Sequence, residues 1–571
     1  MNTYLHQNIR IPNKTIHLLL LLLVLSPTLW AQGNLDREIE VVKNRKIVLP
    51  KANKHHDKIN LPPPTRKDST QQYINFHDFL NPAFSAKRHL PLVKPAGVFA
   101  EDNQASTLSS RMLEGYIKAG GGNFATSYAE GAVSYRPNSN ALYGISLRHH
   151  QSRNGAVRDD LSATAQNDVQ VQARYFANTF AMGLKANYQL SQYHFYGYDL
   201  GQSVEKDTVR QLFQRFGLTF RQVSTDVKNR FQYDWGVKVN YLKDAFAANE
   251  TLGDLFGKLL YRLDSHSTVN VHTNIHLGQR TDAEQVSRFV YQLKPFYGYS
   301  KGNWHLEGGV NMVFENDTLG QQNNLHFYPH VLAEYALLPN LLLNASFKGD
   351  IQRTSLNSFT TQNPFVNANV NLAHTNQRFE ALLGVNGTLY QKIFYKLQVG
   401  YEQFQNLYFF VNSATDTARF DLTYQTDNIN RLKLEAQLGY EPNAAYKFYI
   451  NGVVHNYQLP DAMEAPWHRP LFQTELAGVW LPTPKWRLNL NFYGLGGIQA
   501  KNFVTNEVTS LGFIADMNLK VDYVFWEKGS DGLPNLSAFV ALNNIFAKNY
   551  QRYLYYPRQG FNFLIGLMYG F

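Results

Sequence analysis

Residues 560–571 read Gly-Phe-Asn-Phe-Leu-Ile-Gly-Leu-Met-Tyr-Gly-Phe, and their alternation restricts the fold more than any other stretch of the chain. Phe561, Phe563, Ile565, Leu567, Tyr569 and Phe571 share one parity; Gly560, Asn562, Leu564, Gly566, Met568 and Gly570 share the other. Side chains of a strand alternate between faces, so one face here is apolar with aromatic ends. The other is mostly small or polar, Leu564 and Met568 excepted. A soluble protein does not leave such a row on an open edge, where it templates aggregation. The pattern fits a strand with its apolar face to lipid and its small face to a lumen, closing a membrane barrel. The competing reading is a buried final strand of a soluble sandwich.

The rest of the chain decides between them. From about Leu108 onward the same period of two recurs. Tyr233, Trp235, Val237, Val239 and Tyr241 oppose Asp234, Gly236, Lys238 and Asn240; Val269, Val271, Thr273, Ile275 and Leu277 oppose Asn270, His272, Asn274 and His276. Leu306, Val310, Met312 and Phe314 oppose Glu307 and Asn311, and Leu432, Leu434, Leu438 and Tyr440 oppose Lys433, Glu435 and Gln437. Trp486, Leu488, Leu490 and Phe492 oppose Arg487, Asn489 and Asn491. Each segment is a weak signal; their repetition is a strong one. Outside the N-terminus no apolar run approaches the roughly 18 residues of a membrane helix. Charged residues make up 17% of the chain, below the roughly 25% of soluble domains. Its 35 Tyr and 38 Phe suit aromatic girdles at two membrane interfaces.

Connections sort into two sets. Short turns fall at 137–140, 225–229, 301–303, 339–340, 442–445 and 483–485; long connections fall at 152–167, 197–208, 315–324, 354–375, 459–470 and 499–508. With a periplasmic N-terminus the short set is periplasmic and the long set extracellular, as in outer-membrane barrels. Phe420-Asp-Leu-Thr-Tyr424 would add an odd crossing, so it is placed in an extracellular hairpin extension. The predicted fold is all-β, a transmembrane antiparallel β-barrel of about 22 strands, the even count such barrels require.

Arg10 and Lys14 precede an apolar run, Leu18 to Leu25, followed by Pro27, Trp30 and Ala31. This predicts a secretory signal peptide over residues 1–31. Residues 32–105 are basic, with Pro62-Pro63-Pro64 and no sustained period; they are expected to form an irregular periplasmic or lumen segment ahead of a barrel over 106–571. The chain has no Cys, which excludes disulfides and a lipidated N-terminal Cys. The net charge of +10 is spread along the chain, and after an export signal no nucleic-acid partner is expected. The expected location is the outer membrane of a Gram-negative bacterium.

Chemistry is sparse. His149-His150, His272 with His276, and His305 with Glu307 are the candidate ligand or acid–base sets. Two ligands without a third make no catalytic metal site, so these read as polar lumen lining. Asp159-Asp160 reads as a solvated pair in a long loop. No phosphate loop, nucleophile elbow or His-Glu-x-x-His occurs. No catalytic residue, metal or cofactor is expected. Trp467, His468 and Arg469, followed by Pro470, form the candidate extracellular interaction loop, because Trp and Arg anchor interfaces. The competing reading is a cluster that packs the loop.

Leu542-Asn-Asn-Ile-Phe546, Tyr550-Gln-Arg-Tyr553 and Tyr556-Pro-Arg-Gln-Gly-Phe561 resemble the final hairpin of TonB-dependent receptors. Asn363-Pro-Phe-Val366, Trp467-His-Arg-Pro470 and Glu38-Ile-Glu-Val-Val-Lys43 are similar to a branch of TonB-dependent-receptor-like barrels. The resemblance implies a 22-stranded barrel and a transport or receptor role. It departs from the family in having too few residues between Ala31 and the first strand for a conventional plug, so either residues 32–105 or inward-folded loops such as 354–375 are expected to fill the lumen. The implied partners are outer-membrane lipid, the barrel-assembly machinery during insertion, and periplasmic or lipoprotein factors. The alternatives are a scaffolding barrel subunit of an outer-membrane complex and, with no site to support it, an outer-membrane hydrolase.

Overall fold

The computed structural model describes residues 115–571 apart from 158, 199–200, 227, 317–322, 391, 444, 503 and 527–534. The expected signal peptide, the basic segment at 32–105 and the expected barrel start at 106–114 lie outside the described residues.

Strand alternation propagates into one antiparallel sheet of 22 strands. Each strand pairs with its neighbours along the chain, and the first, Gly115–Gly122, pairs with the last, Asn562–Gly570. The sheet therefore closes on itself and has no free edge. At the seam Gly120 faces Gly566 and Gly122 faces Leu564. A Cβ on Gly122 would lie 1.8 Å from the Phe563 carbonyl oxygen, and one on Gly566 would lie 2.1 Å from that of Ala119. These glycines are required by the close backbone approach where the barrel shuts.

Facing follows the predicted parity. Ile565, Leu567 and Tyr569 are about half exposed on the outer wall, as are Leu434, Leu438, Leu383 and Leu397. The inner face of the same strands carries buried polar groups such as Asp234, Asn270, His276, Asn311 and Glu402. They are paired across strands: Arg221 with Asp234 at 2.8 Å, Arg431 with Glu402 at 2.6 Å, His276 with Asp254 at 2.8 Å. An apolar exterior around a hydrogen-bonded polar interior inverts the usual arrangement of a water-soluble barrel.

The two sets of connections lie at opposite ends of the barrel, as their lengths predict. The turn end carries residues 139–140, 302–303, 339–340 and 484–485; the loop end carries 153–163, 195–209, 353–374, 459–471 and 544–561. The centre of the expected long connection 315–324 lies outside the described residues; among the described connections at the loop end three are short, 123–125, 244–248 and 282–284. The long 353–374 loop lies over the last of these: the Ala283 N–H donates to Asn369 Oδ1 at 3.0 Å. Phe420–Gln425 pairs with Leu407–Asn412 in a two-stranded sheet outside the barrel, the predicted hairpin extension. Two further small hairpins, Gln499–Asn502 with Glu507–Ser510 and Gln551–Tyr553 with Tyr556–Pro557, lie at the same end.

Candidate functional site: a roof over the lumen

A ring of 22 strands, at about 4.8 Å spacing and about 40° tilt, is roughly 40 Å across. Side chains from the wall cannot fill it, so the loops decide what crosses the opening. Tyr196 follows the fifth strand around the ring, Phe365 the thirteenth, Phe420 the fifteenth and Tyr556 the twenty-first. These positions are spread around the circumference, yet the four rings touch. Phe365 stacks on Tyr556 with centroids 3.6 Å apart, Tyr196 meets Tyr556 at 4.7 Å and Phe365 at 5.7 Å, and Phe420 meets Tyr556 at 5.9 Å. The loops therefore lean inward and join over the mouth.

Polar groups at the rim of this aromatic centre are matched. Tyr553 Oη donates to the Gln362 carbonyl at 2.9 Å, Tyr196 Oη to that of Pro557 at 3.0 Å, and Tyr556 Oη to that of Ala418. Around the rings sit Phe195, Val209, Phe213, Leu242, Phe359 and Phe410, all buried. Burial of a large side chain stabilises by about 1.5–3 kcal/mol, so the roof is held by a core of its own.

The longest arm of the roof, 353–374, is also bolted to the wall. Its one helix, Leu356–Gln362, starts at Ser355, whose hydroxyl accepts from the Ser358 N–H while Ser358 Oγ accepts from the Ser355 N–H. The two free N–H groups of Leu356 and Asn357 donate to the Glu250 carboxylate, 2.8 Å each, from a strand on the wall. Pro364 prevents continuation past Asn363. Arg215 donates to Asn357 and Thr360, Arg280 to the Val370 carbonyl, and Arg288 to the Thr354 carbonyl and His374 Nδ1. Arg353 pairs with Asp254 at 2.5 Å. The expected inward-folded loop is thus present, and five wall residues, Arg215, Glu250, Asp254, Arg280 and Arg288, hold it.

Trp467 and His468 are 5% and 2% exposed. Both side chains are packed, as in the competing reading of this loop; Arg469 is half-buried. His468 donates from Nδ1 to the Phe410 carbonyl at 2.8 Å and accepts at Nε2 from the Leu554 N–H at 3.3 Å, which fixes the neutral tautomer. Burial holds its pKa down to about 3, against the pull of the Phe410 carbonyl and with Arg552 adding to the drop. His374 is lowered in the same direction by burial and by Arg288. Arg469 donates to the Tyr408 carbonyl at 2.7 Å and lies over the Tyr408 and Phe409 rings. Phe365 and His468 both pack on the 551–557 hairpin and on Phe420, so the separate sequence motifs around 363, 467 and 553 meet in one structure.

The candidate ligand sets do not converge. His149 and His150 point to opposite faces: His149 bonds Asn167 and Ser127, while His150 packs against Tyr128. Glu307 accepts from His305 at 3.4 Å and from His330 at 3.1 Å. His330 comes from the neighbouring strand and has no local signal in the sequence. Asp160 pairs with Lys206 at 2.9 Å in its loop. Among the described residues no group of three or more His, Asp or Glu is placed to hold a metal. Of the closing-strand residues, Phe563, Ile565, Leu567 and Tyr569 share the outward parity of the last strand, with Phe561 and Phe571 flanking its ends.

Fold and site together define a closed 22-stranded antiparallel barrel with a polar lumen and a roof of inward-folded loops. Solved structures share this fold. The FrpB iron transporter from Neisseria meningitidis (F5-1 variant) superimposes with a TM-score of 0.62 over 80% of this chain and 82% of its own, at 8% identity. The siderophore receptor PirA from Acinetobacter baumannii gives 0.61 over 80% of each chain at 9% identity. The ferric-catecholate import receptor Fiu from Escherichia coli K12 gives 0.60 over 81% of this chain and 82% of its own at 10% identity. No family model matches the sequence, and no curated protein matches it.

Proposed function

We propose that the protein is an outer-membrane barrel of the TonB-dependent-receptor type, acting in transport or as a receptor, with its mouth closed by its own loops in place of a conventional plug. The carrying observation is the aromatic junction of Tyr196, Phe365, Phe420 and Tyr556, because loops from distant arcs of the ring meet there. A lumen lined by paired polar groups under a closable roof suits a gated solute path. The 22-strand barrel of the FrpB, PirA and Fiu structures supports the same reading at the level of fold. Lipid contacts the outer wall, the closing strand Asn562–Gly570 is the segment presented to the assembly machinery, and Arg469 is the part of the 467–469 loop open to a partner. Periplasmic or lipoprotein factors are the remaining partners proposed.

Planar-bilayer recording tests this. The wild-type barrel is expected to be nearly silent, and a Phe365→Ala/Tyr556→Ala variant to show solute-dependent current. A variant that stays silent, binds no solute and always purifies with one fixed set of proteins would instead establish the scaffolding reading.

A further inference from the structure

Beneath the roof, against the wall formed by strands 429–443, 446–458 and 472–483, lies a cavity of about 340 Å³. That is at the lower end of the 300–1,000 Å³ typical of small-molecule sites, with room for a monosaccharide-sized solute and not for a polymer. Its lining leaves several polar groups unpaired. Arg552 is 6% exposed; among the described residues Nη1 donates to the His468 carbonyl at 2.7 Å and the Nε–H finds no acceptor. Asn451 Oδ1 and His455 Nδ1, on the wall of the same cavity, are also buried without a partner. Arg469 has a backbone carbonyl and two aromatic faces for company, and no ion pair with a carboxylate among the described residues.

A guanidinium taken out of water without a counter-charge is unfavourable; Arg552 is buried, and the half-buried Arg469 is near enough to add its positive charge. The charge balance is uneven. Arg431, Arg469 and Arg552 face the cavity; Glu402 neutralises Arg431, and Glu475, the one carboxylate in the lining, has interactions of its own. Three guanidiniums against two carboxylates leave one positive charge in excess. Asn451 Oδ1 calls for a hydroxyl donor. Tyr457 and Trp467 supply flat faces for the C–H side of a small ring or chain.

From this arrangement we infer that the cavity is a binding site for a small polyhydroxy carboxylate, its single negative charge placed between Arg552 and Arg469 and a hydroxyl on Asn451. Arg552 supplies charge and one fixed donor; Asn451 and His455 read hydroxyls; Trp467 and Tyr457 set the thickness. The inference rests on the transport-or-receptor reading only for how solute reaches the cavity.

Calorimetric titration of the full-length protein in detergent tests it, with glucuronate, glucose, acetate and inorganic phosphate as probes. Glucuronate is expected to saturate with a Kd below about 1 mM, at least tenfold tighter than glucose (no charge) or acetate and phosphate (no hydroxyl-bearing carbon chain). Arg552→Gln should weaken glucuronate by at least tenfold with the heat-dependent gel shift of the folded barrel retained. Should that variant fail to fold, Asn451→Ala, which removes an acceptor that holds nothing else, is expected to weaken it severalfold. Absence of saturation by any probe, equal binding of glucose or phosphate, or unchanged affinity in the folded variants would overturn the site. Retained glucuronate binding with a Phe365→Ala/Tyr556→Ala variant that still passes no current would leave the site standing and overturn the transport reading, so the two failures are distinguishable.

Discussion

Single residues set how firmly the roof is latched. Glu250 accepts two backbone N–H bonds from a loop more than a hundred residues away in sequence. Glu250→Ala leaves the buried Leu356 donor and the half-buried Asn357 donor without their carboxylate, at a cost of about 2–4 kcal/mol to loop closure. Amide hydrogen exchange at 356–362 should accelerate accordingly while exchange in the barrel strands is unchanged; equal protection in the variant would show that Glu250 is not the latch. His468 adds a pH dependence. Its folded pKa of about 3 lies below the unfolded value of about 6.5, so the folded roof binds fewer protons than the open one. Its stabilisation is complete above pH 6.5 and is lost as pH falls from there toward 3. At pH 5 the loss is about 2 kcal/mol, with His374 acting in the same direction. Exchange of the 465–470 amides should therefore speed up between pH 7.5 and pH 5, and His468→Gln should flatten that response. An unchanged pH response in His468→Gln would remove the imidazole from the account.

At the scale of elements, the wall and the roof separate what sequence conveys from what it does not. The strand Tyr233–Tyr241 is legible because its apolar face meets one solvent and its polar face another, which stamps a period of two on the sequence. The Phe420–Tyr424 hairpin is legible from parity alone, since an odd crossing cannot close a barrel with both ends on one side. The roof has no such period. Tyr196, Phe365, Phe420 and Tyr556 are solitary aromatics in irregular loops, and their meeting depends on where the ring places strands far apart in sequence. The motif residues around Trp467 were visible, but their burial was not, because the hairpins that cover them come from 407–425 and 551–557. The seam obeys a local rule that is testable. Gly122→Val or Gly566→Val places a side chain on backbone oxygen about 2 Å away. Either should sharply reduce the fraction of heat-modifiable barrel, whereas Gly452→Ala, with open space around it, should leave that fraction unchanged. Normal closure of the valine variants would contradict the pairing of the first and last strands.

For the whole molecule, everything depends on which side of the wall meets lipid. The outward row Leu383, Leu397 and Leu434 is about half exposed, and the adjacent residues Gly384, Gln398 and Glu435 turn to the lumen. The chain contains no cysteine, so a single one can be placed and spin-labelled at each position in turn without background. Collision of the label with oxygen, which partitions into lipid, and with a water-soluble nickel complex then reports the solvent at that site in reconstituted bilayers. The barrel account predicts oxygen-dominated collision at Leu383, Leu397 and Leu434, and a reversal toward the nickel complex, or shielding from both, at Gln398 and Glu435. Nickel access to the leucine row, or shielding of that row from both reagents by a second layer of protein, would contradict it.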